Sequence, residues 1–249
     1  MSTPATIRLY LHDEYAFEAE ATVVAVRENA VAFDRTCFYP GGGGQPPDDG
    51  VVVIDGGRET AIASAFADGD GVVWHVTDGT LPADAVGRLA RLRVNGARRL
   101  ALMRYHTVLH VLNTIALRDY GGWITGVQMA EDYARIDFKI EGFSPALRAE
   151  LESKVNAVLR EPHALRSYDI PEEEFSRRTD LLRTLEVKPP VVDGRVRVVE
   201  IEGFDAQACG GTHVHDTREV GLVSIYRTEN KGRINKRLYL RLDPASTQG

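Results

Sequence analysis

Short apolar runs rich in β-branched and aromatic residues alternate with turn-forming residues over the first 82 positions. The turn signals include DGG, DGDG and TDG, and strands at this spacing are typical of a small barrel or sandwich. We predict strands at ATVVAV (21–26), AVAFDRTCFY (30–39), GVVVI (50–54) and VVWHV (72–76). These runs predict an N-terminal β-barrel-like domain over residues 1–90, with the segment LPADAVG near its end as a linker.

The hydrophobic period becomes that of an α-helix in residues 97–120. This stretch has helix-forming residues throughout, no Gly or Pro, and Gly121–Gly122 directly after it, so we predict one long helix that ends there. Ser144 as N-cap and Pro145 as the first helical residue predict a second helix. A third helix is predicted to open at Pro171, in the segment PEEEFSRRTDLL.

Strands are predicted between and after these helices. In YARIDFKI the apolar residues alternate with charged ones, as in a sheet with one buried face. The predicted strands are ITGVQMA (124–130), YARIDFKI (133–140), ALRSYDI (164–170), VRVVEI (196–201), GLVSIYR (221–227) and KRLYLRL (236–242). The predicted fold class is therefore α+β: the small β-barrel-like domain precedes a two-layer α/β domain over residues 91–249, with a mixed or antiparallel sheet and helices on one face.

Composition limits the cellular setting. The chain has 249 residues, of which 43% are hydrophobic and 27% charged, values that are ordinary for a globular protein. No run of about 18 apolar residues is present, so we expect no membrane span. The N-terminus lacks the basic and apolar regions of a signal peptide. The chain has only two cysteines, too few for a disulfide scaffold, so we predict a cytoplasmic protein.

Positive charge is clustered although the net charge is −6. Residues 88–104 contain six arginines and no acid, and residues 227–241 contain six basic residues and one acid. Clusters of this kind can contact the phosphates of a nucleic acid. They are also found on the solvated faces of helices and hairpins, and charge alone does not decide between these readings.

Two pairs of residues suggest a metal site. His106 and His110 project from one face of the predicted long helix because they are four positions apart. Cys209 and His213 flank Gly210–Gly211 in the segment ACGGTHVH, and we expect the glycines to give the turn its backbone freedom. Each pair alone is weak, since buried cysteines and helical histidines are common. Together they form a ligand set that suits tetrahedral Zn²⁺.

A family resemblance runs through the same residues. The motif CGGTH, with HTVLH and VQMAEDYARIDF before it, resembles the editing domain of alanyl-tRNA synthetase and its freestanding relatives, the AlaX trans-editing proteins. FYPGGGGQPPDDG (38–50) looks like the glycine-rich motif of the longer AlaX forms. The order of the motifs fits from Phe38 to Leu242. The resemblance implies bound zinc, a hydrolase activity, and mischarged tRNA as the substrate.

The glycine-rich loop lacks the marks of the common phosphate-binding loops. No Gly-Lys-Ser/Thr follows it, as a Walker A loop requires, and the prolines after Gln45 exclude a dinucleotide-binding helix. The loop is either a flexible turn or a close backbone contact to the substrate. The resemblance favours the second reading and implies substrate contacts for Gly42, Gly43, Gly44 and Gln45.

Two polar residues match positions that the family uses for the aminoacyl group. Thr107 matches the threonine of the HTxxH motif, and Gln128 matches a glutamine on the strand after the helix. The resemblance implies catalytic or substrate-hydroxyl contacts for both. The alternatives are a helix threonine bonded back to a carbonyl and an exposed strand residue. From the basic cluster we assign Arg98 and Arg99 to contacts with tRNA phosphates.

The preferred hypothesis is a zinc-dependent deacylase that cleaves the ester of Ser-tRNA(Ala) or Gly-tRNA(Ala). Four protein ligands close a structural zinc site, so catalysis requires a fifth position, the displacement of a ligand, or a zinc that only positions the substrate. The alternative is a non-catalytic tRNA-binding module with a structural zinc. A hydrolase of small esters or peptides agrees less well with the sequence, because no Glu follows His106 as in the HExxH motif. The sequence leaves the oligomeric state open.

Overall fold

The computed structural model describes residues 3–184 and 189–243, and the chain divides into two compact units. The first unit consists of residues 1–42 and 46–100, and the second of residues 43–45 and 101–249. Among the described residues, no helix combines the length and the apolar character that crossing a membrane would need.

The first unit is built around a closed six-stranded barrel. Its strand order is β2-β3-β7-β6-β5-β8, with antiparallel neighbours throughout. A parallel pair, β1 and β4, belongs to the same part of the chain. The strands are β1 (Ile7–Arg8), β2 (Glu18–Arg27), β3 (Ala30–Phe33), β4 (Arg35–Thr36), β5 (Gly50–Ile54), β6 (Glu59–Ala67), β7 (Val73–Thr77) and β8 (Leu89–Val94). The apolar interior includes Val31, Phe33, Phe38, Val52, Ile62 and Leu92.

The predicted barrel is confirmed, but two of its strands were not predicted. The strand β6 is rich in alanine, which is a poor strand former. In β8 the buried residues Ala90, Leu92 and Val94 alternate with exposed ones, a period-two pattern that the arginine cluster concealed. Residue 90, where the sequence analysis divides the chain, lies within β8, and the division into folding domains at that residue stays a prediction.

Three α-helices follow in the described residues: α1 (Gly96–Tyr120), α2 (Pro145–Arg160) and α3 (Glu172–Phe175). The helix α1 ends as predicted, because Gly121 adopts a φ of +62° that suits glycine, and its N–H donates to the Leu117 carbonyl. The helix α2 begins as predicted, since the Ser144 hydroxyl accepts a hydrogen bond from the Leu147 N–H at 3.2 Å.

The third predicted helix is mostly wrong. Only one turn of α-helix forms after Pro171, and a 3-10 helix at Thr179–Leu181 follows it. No residue of α3 is fully buried, and Phe175 is its one apolar side chain packed against the core. This is too little apolar surface to hold a longer helix. The Ser176 hydroxyl donates to the Glu173 carbonyl at 2.7 Å, a local bond that competes with continued helix.

The described strands of the second unit form two antiparallel sheets. The first has the order β15-β16-β10-β9, and in the second β13 pairs with β11, β12 and β14. The strands are β9 (Trp123–Met129), β10 (Ala134–Lys139), β11 (Leu165–Pro171), β12 (Val191–Val192), β13 (Arg195–Ile201), β14 (Asp205–Ala208), β15 (Val223–Asn230) and β16 (Asn235–Leu242). The helix α2 packs against β15, and the predicted α+β class is confirmed.

Candidate metal centre

Four potential ligands converge in the second unit. His106 and His110 come from adjacent turns of α1, and Cys209 and His213 follow β14. One donor atom from each of the four residues lies within 4.8 Å of the others. The structure therefore brings together the four residues that the sequence analysis named, in a group that can hold a metal ion.

The spacing of the donors fits a tetrahedral ion. The Cys209 Sγ lies 3.5 Å from the His106 Nε2 and 3.5 Å from the His213 Nε2. In a tetrahedral zinc site with Zn–S near 2.3 Å and Zn–N near 2.0–2.1 Å, the sulfur and nitrogen ligands are about 3.5–3.6 Å apart. The ring centroids of His106 and His110 are each 4.3 Å from that of His213.

Burial keeps the three imidazoles neutral, as metal ligation requires. The histidines are at most 6% exposed. Burial lowers the pKa of His106 to about 3, with the nearby Arg197 charge acting in the same direction. Burial is also the main reason that the pKa of His110 and of His213 lies well below the usual range, and the charges of the neighbouring side chains lower it further. Cys209 is half-buried and is the most accessible of the four.

Gln45 fixes the ring of His106. Its Oε1 lies 3.0 Å from the His106 Nδ1 and accepts from the Thr212 N–H at 3.1 Å, while its Nε2 donates to the Thr212 hydroxyl at 2.8 Å. An amide oxygen only accepts, so the His106 Nδ1 carries the proton and its Nε2 is left for a metal. Gln45 was predicted to contact the substrate. That contact stays a prediction, and the buried side chain, which is 2% exposed, supports the candidate ligand His106.

Thr107 supports His213 in the same way. Its hydroxyl oxygen lies 3.1 Å from the His213 Nδ1 and accepts from the Val214 N–H at 3.3 Å. Thr107 is fully buried. Its predicted contact with a substrate hydroxyl stays a prediction, and the structure adds a second role that the sequence analysis missed.

The glycines of CGGTH are required for space rather than for backbone freedom. Neither Gly210 nor Gly211 has a positive φ, which corrects the reason given from the sequence. A Cβ on Gly211 would lie 2.2 Å from the His106 Cε1 and 2.9 Å from the Gln45 Oε1. A Cβ on Gly210 would lie 2.8 Å from the Pro190 Cγ. The backbone at Gly211 therefore packs directly on the ring of His106, one of the four candidate ligands.

Arg197 holds the turn between Cys209 and His213. Its Nη1 donates to the Gly211 carbonyl at 2.8 Å and to the Cys209 carbonyl at 3.1 Å. The side chain is 7% exposed, and its charge contributes to the lowered pKa of all three histidines, after burial. Arg197 was not predicted from the sequence, although an arginine inside the apolar strand RVRVVEI was a signal.

A buried polar network ties β14 to α1 beside the cluster. The Gln207 Nε2 donates to the His110 carbonyl at 3.1 Å, and the Thr114 hydroxyl donates to the Asp205 carboxylate at 2.7 Å. Arg183 pairs with the same carboxylate. The network was not predicted, but Asp205 and Gln207 are two apart on β14 and so share one face of the strand.

The glycine-rich loop has the backbone that only glycine adopts easily. Gly42, Gly43 and Gly44 have φ values of +138°, +57° and +85°. A Cβ on Gly44 would lie 2.7 Å from the Val127 carbonyl oxygen, and the Gly44 carbonyl accepts from the Met129 N–H at 2.9 Å. The loop therefore lies directly on β9 at Gly44. The substrate contacts of the three glycines stay predictions.

Gln128 lies on the exposed side of β9. Its side-chain oxygen accepts from the Arg135 Nε at 2.7 Å. In the described part of the chain, no contact between the Gln128 side chain and the four ligands is seen. Its catalytic role stays a prediction.

The prediction for Arg99 is wrong. The side chain is completely buried in the first unit, where it pairs with Asp48 and donates to the Glu14 and Cys37 carbonyls at 3.0 and 2.6 Å. A guanidinium enclosed in this way cannot reach a phosphate. Arg98 is 15% exposed and donates to the Pro47 carbonyl at 2.7 Å, and its phosphate contact stays a prediction.

Comparison with known proteins agrees with the arrangement of motifs. The family described as the second additional domain of threonyl and alanyl tRNA synthetases matches residues 196–239. The chain is 33% identical to the alanyl-tRNA editing protein AlaX-M of Saccharolobus solfataricus, over 96% of this chain and 100% of the relative. It is 36% identical to the AlaX-M protein of Methanosarcina mazei, over 97% of this chain and 98% of the relative.

A larger protein shares the same region. The alanine–tRNA ligase of Korarchaeum cryptofilum is 38% identical over 90% of this chain, which corresponds to 25% of the ligase. The predicted resemblance is thus confirmed, since the AlaX-M relatives match along nearly the whole length of both chains. This chain belongs to the AlaX family of alanyl-tRNA editing proteins.

Proposed function

We propose that this chain is a zinc-dependent deacylase that hydrolyses the aminoacyl ester of tRNA(Ala) mischarged with serine or glycine. The observation that carries the proposal is the cluster of three histidines and one cysteine in a chain that matches alanyl-tRNA editing proteins along its length. The relatives' name indicates editing of alanyl-tRNA, and an aminoacyl ester on tRNA is the bond that such editing must break.

The need for a second, hydrolytic site follows from binding energetics. An alanine pocket rejects serine, which adds only a hydroxyl, by roughly a hundredfold, and it cannot exclude the smaller glycine sterically. An editing site can do the opposite by holding the serine hydroxyl with hydrogen bonds. Ala-tRNA(Ala) then lacks the group that the site recognises.

The ligand set supports zinc as the metal. Three neutral imidazoles and one thiolate are borderline and soft donors, which suit Zn²⁺ better than Mg²⁺ or Ca²⁺. The two sulfur–nitrogen distances of 3.5 Å agree with a tetrahedral site. When bound, Zn²⁺ supplies Lewis-acid polarisation of the ester or a water of lowered pKa.

The protein's own residues orient this centre. Gln45 and Thr107 hold His106 and His213 through their Nδ1 atoms, so the Nε2 of each ring would be the atom that holds the metal. The Thr107 oxygen accepts two hydrogen bonds in this arrangement, and its own hydroxyl hydrogen is left to donate. We assign that hydrogen to the serine hydroxyl of the substrate.

The remaining substrate contacts follow from the loop and the strand beside it. We assign Gln128 to the aminoacyl group, and the backbone of Gly42, Gly43 and Gly44 to the terminal nucleotide. Arg98 remains the proposed phosphate contact at the start of α1. Because Cys209 is the most accessible ligand, we infer that the ester approaches the cluster from the cysteine side.

The test is single-turnover deacylation of Ser-, Gly- and Ala-tRNA(Ala) by the zinc-loaded protein. We expect hydrolysis of the serine ester to be faster than that of the alanine ester by at least about a hundredfold, since only the first offers a hydroxyl to the site. Cys209→Ala should abolish hydrolysis, whereas Cys37→Ala, which removes the cysteine in the barrel core, should not.

Two results would contradict the proposal. Equal rates of hydrolysis for the serine, glycine and alanine esters would show that the protein does not select mischarged tRNA. Binding of tRNA without hydrolysis of any ester would establish the alternative, a tRNA-binding module with a structural zinc.

A further inference from the structure

The sheet β15-β16-β10-β9 has an apolar face, on which the side chains of Ile136, Phe138, Leu238 and Leu240 are buried. The residues between them point to the opposite, outer face. The strand register aligns one outward-facing residue from each strand into a row across the whole sheet. In order from edge to edge, this row is Gln128, Arg135, Tyr239 and Arg227.

Tyrosines and arginines dominate this outer face. The rings of Tyr226 and Tyr133 lie 6.1 and 6.5 Å from that of Tyr239. The Arg227 guanidinium carbon lies 4.9 Å from the Tyr239 ring centre, and that of Arg241 lies 4.9 Å from the Tyr226 ring centre. We call this set the tyrosine–arginine face: Tyr133, Tyr226, Tyr239, Arg135, Arg227 and Arg241.

The face is accessible and basic. Tyr226 is 43% exposed, and the Arg227 side chain is 61% exposed. Within the four strands the acids on this side are Asp137, which Arg237 holds with two hydrogen bonds of 2.7 Å, and Glu229, which pairs with Arg227 and Lys231. Glu131, Asp132 and Asp243 lie near Arg241 at the strand ends. Asp137 also pairs with Arg135 at 3.5 Å. The two carboxylates thus face a larger number of basic side chains, to which Arg241 adds one more, so the face keeps a positive charge.

We propose that the tyrosine–arginine face binds unpaired nucleotides of RNA, with bases stacked on the tyrosines and phosphates contacted by the arginines. Exposed aromatic rings beside arginines are the means by which single strands are bound, because an unpaired base offers its flat face and a paired base does not. The choice of RNA rests on the proposed function, whose substrate carries an unpaired 3′ end. Gln128, at one edge of the row, links this face to the proposed ester site.

The proposal is tested by the binding of a fluorescent 12-nucleotide single-stranded RNA and of a 12-base-pair RNA duplex, followed by anisotropy at several salt concentrations. For Tyr226→Leu/Tyr239→Leu we expect affinity for the single strand to fall about tenfold to a hundredfold. The slope of log affinity against log salt should stay unchanged, because no charge is removed. For Arg227→Gln/Arg241→Gln, the slope should decrease by about 0.7 for each phosphate that the protein no longer neutralises.

Two control variants separate stacking from folding. Tyr226→Phe/Tyr239→Phe keeps both rings and should bind as the wild type does. Tyr168→Leu removes an exposed tyrosine from β11, in the other sheet, and should also have no effect. Loss of affinity in the leucine pair with retention in both controls supports the proposal.

Three results would overturn the proposal. In the first, Tyr226→Leu/Tyr239→Leu binds the single strand as tightly as the wild type does. In the second, this variant loses as much affinity for the duplex as for the single strand. In the third, the substitutions change the self-association of the chain and leave RNA binding unaffected. The test does not involve hydrolysis. A protein that binds the single strand through this face but hydrolyses no ester would retain this inference and lose the proposed function.

Discussion

Gln45 spans two elements that are distant in the sequence, since it bonds to His106, 61 positions away, and to Thr212, 167 positions away. A ligating histidine usually donates its second N–H to an acceptor that fixes the ring, and removal of that acceptor typically costs about tenfold to a hundredfold in metal affinity. The buried amide of Gln45 provides such an acceptor. It also holds the backbone of the turn that carries Cys209.

We therefore expect Gln45→Ala to weaken zinc binding by about tenfold to a hundredfold. Gln45→Glu keeps an acceptor for the His106 Nδ1–H and should retain most of the affinity. The measurement is competition for zinc with a chromophoric chelator. Gln128→Ala is the matched control: it should leave zinc affinity unchanged while it lowers the deacylation rate. An affinity for Gln45→Ala equal to that of the wild type would show that the hydrogen bond does not position the ligand.

The convergence of the four candidate ligands could be predicted from the sequence because each pair is local. Histidines four apart on a helix share a face, and the CGGTH motif keeps Cys209 and His213 close along the chain. The contacts of Gln45, Thr107 and Arg197 could not be predicted, because they depend on tertiary packing. The predicted phosphate contact of Arg99 was wrong for the same reason, since its carboxylate partner Asp48 lies 51 positions away.

At the scale of elements, the turn after β14 and the helix α1 are in such close contact that a single methyl group matters. The Cβ of an alanine at position 211 would lie 2.2 Å from a carbon of the His106 ring. The ring cannot move away without leaving its bond to Gln45. The turn and the ligand are therefore fitted to each other.

The Gly211→Ala variant should bind less than one zinc per chain. The substitution should also destabilise the metal-free protein by about 1–3 kcal/mol, the usual cost of overpacking. Zinc is measured by elemental analysis and stability by denaturant unfolding in the presence of a chelator. Gly69→Ala is the control, because its Cβ would meet no atom within 4 Å. Full zinc content in Gly211→Ala together with wild-type stability would contradict this packing.

Elements with a strong period were predicted well, and those without one were not. The helices α1 and α2 have clear start or stop signals at Ser144 and Gly121, and the structure places them as predicted. The segment after Pro171 has helix-forming acids but too little apolar surface, and only one turn forms. The strand β6 was missed because alternating alanines give a weak hydrophobic contrast.

At the scale of the whole molecule, the fold class and the family followed from the order of the motifs. The pairing of strands did not, because register is set by contacts between residues far apart in the chain. The tyrosine–arginine face illustrates this limit. The sequence shows a basic segment at 227–241, but only the register aligns Arg227 and Tyr239 with Arg135 and Gln128.

The central claim is that hydrolysis of the mischarged ester depends on a metal held by His106, His110, Cys209 and His213. The most direct test is a zinc titration of the chelator-treated protein, with single-turnover hydrolysis of Ser-tRNA(Ala) measured at each step. We expect no hydrolysis without metal, then a linear rise that saturates at about one Zn²⁺ per chain, and no rise in Cys209→Ala. A full rate in the metal-free protein, or the same rise in Cys209→Ala, would contradict the claim.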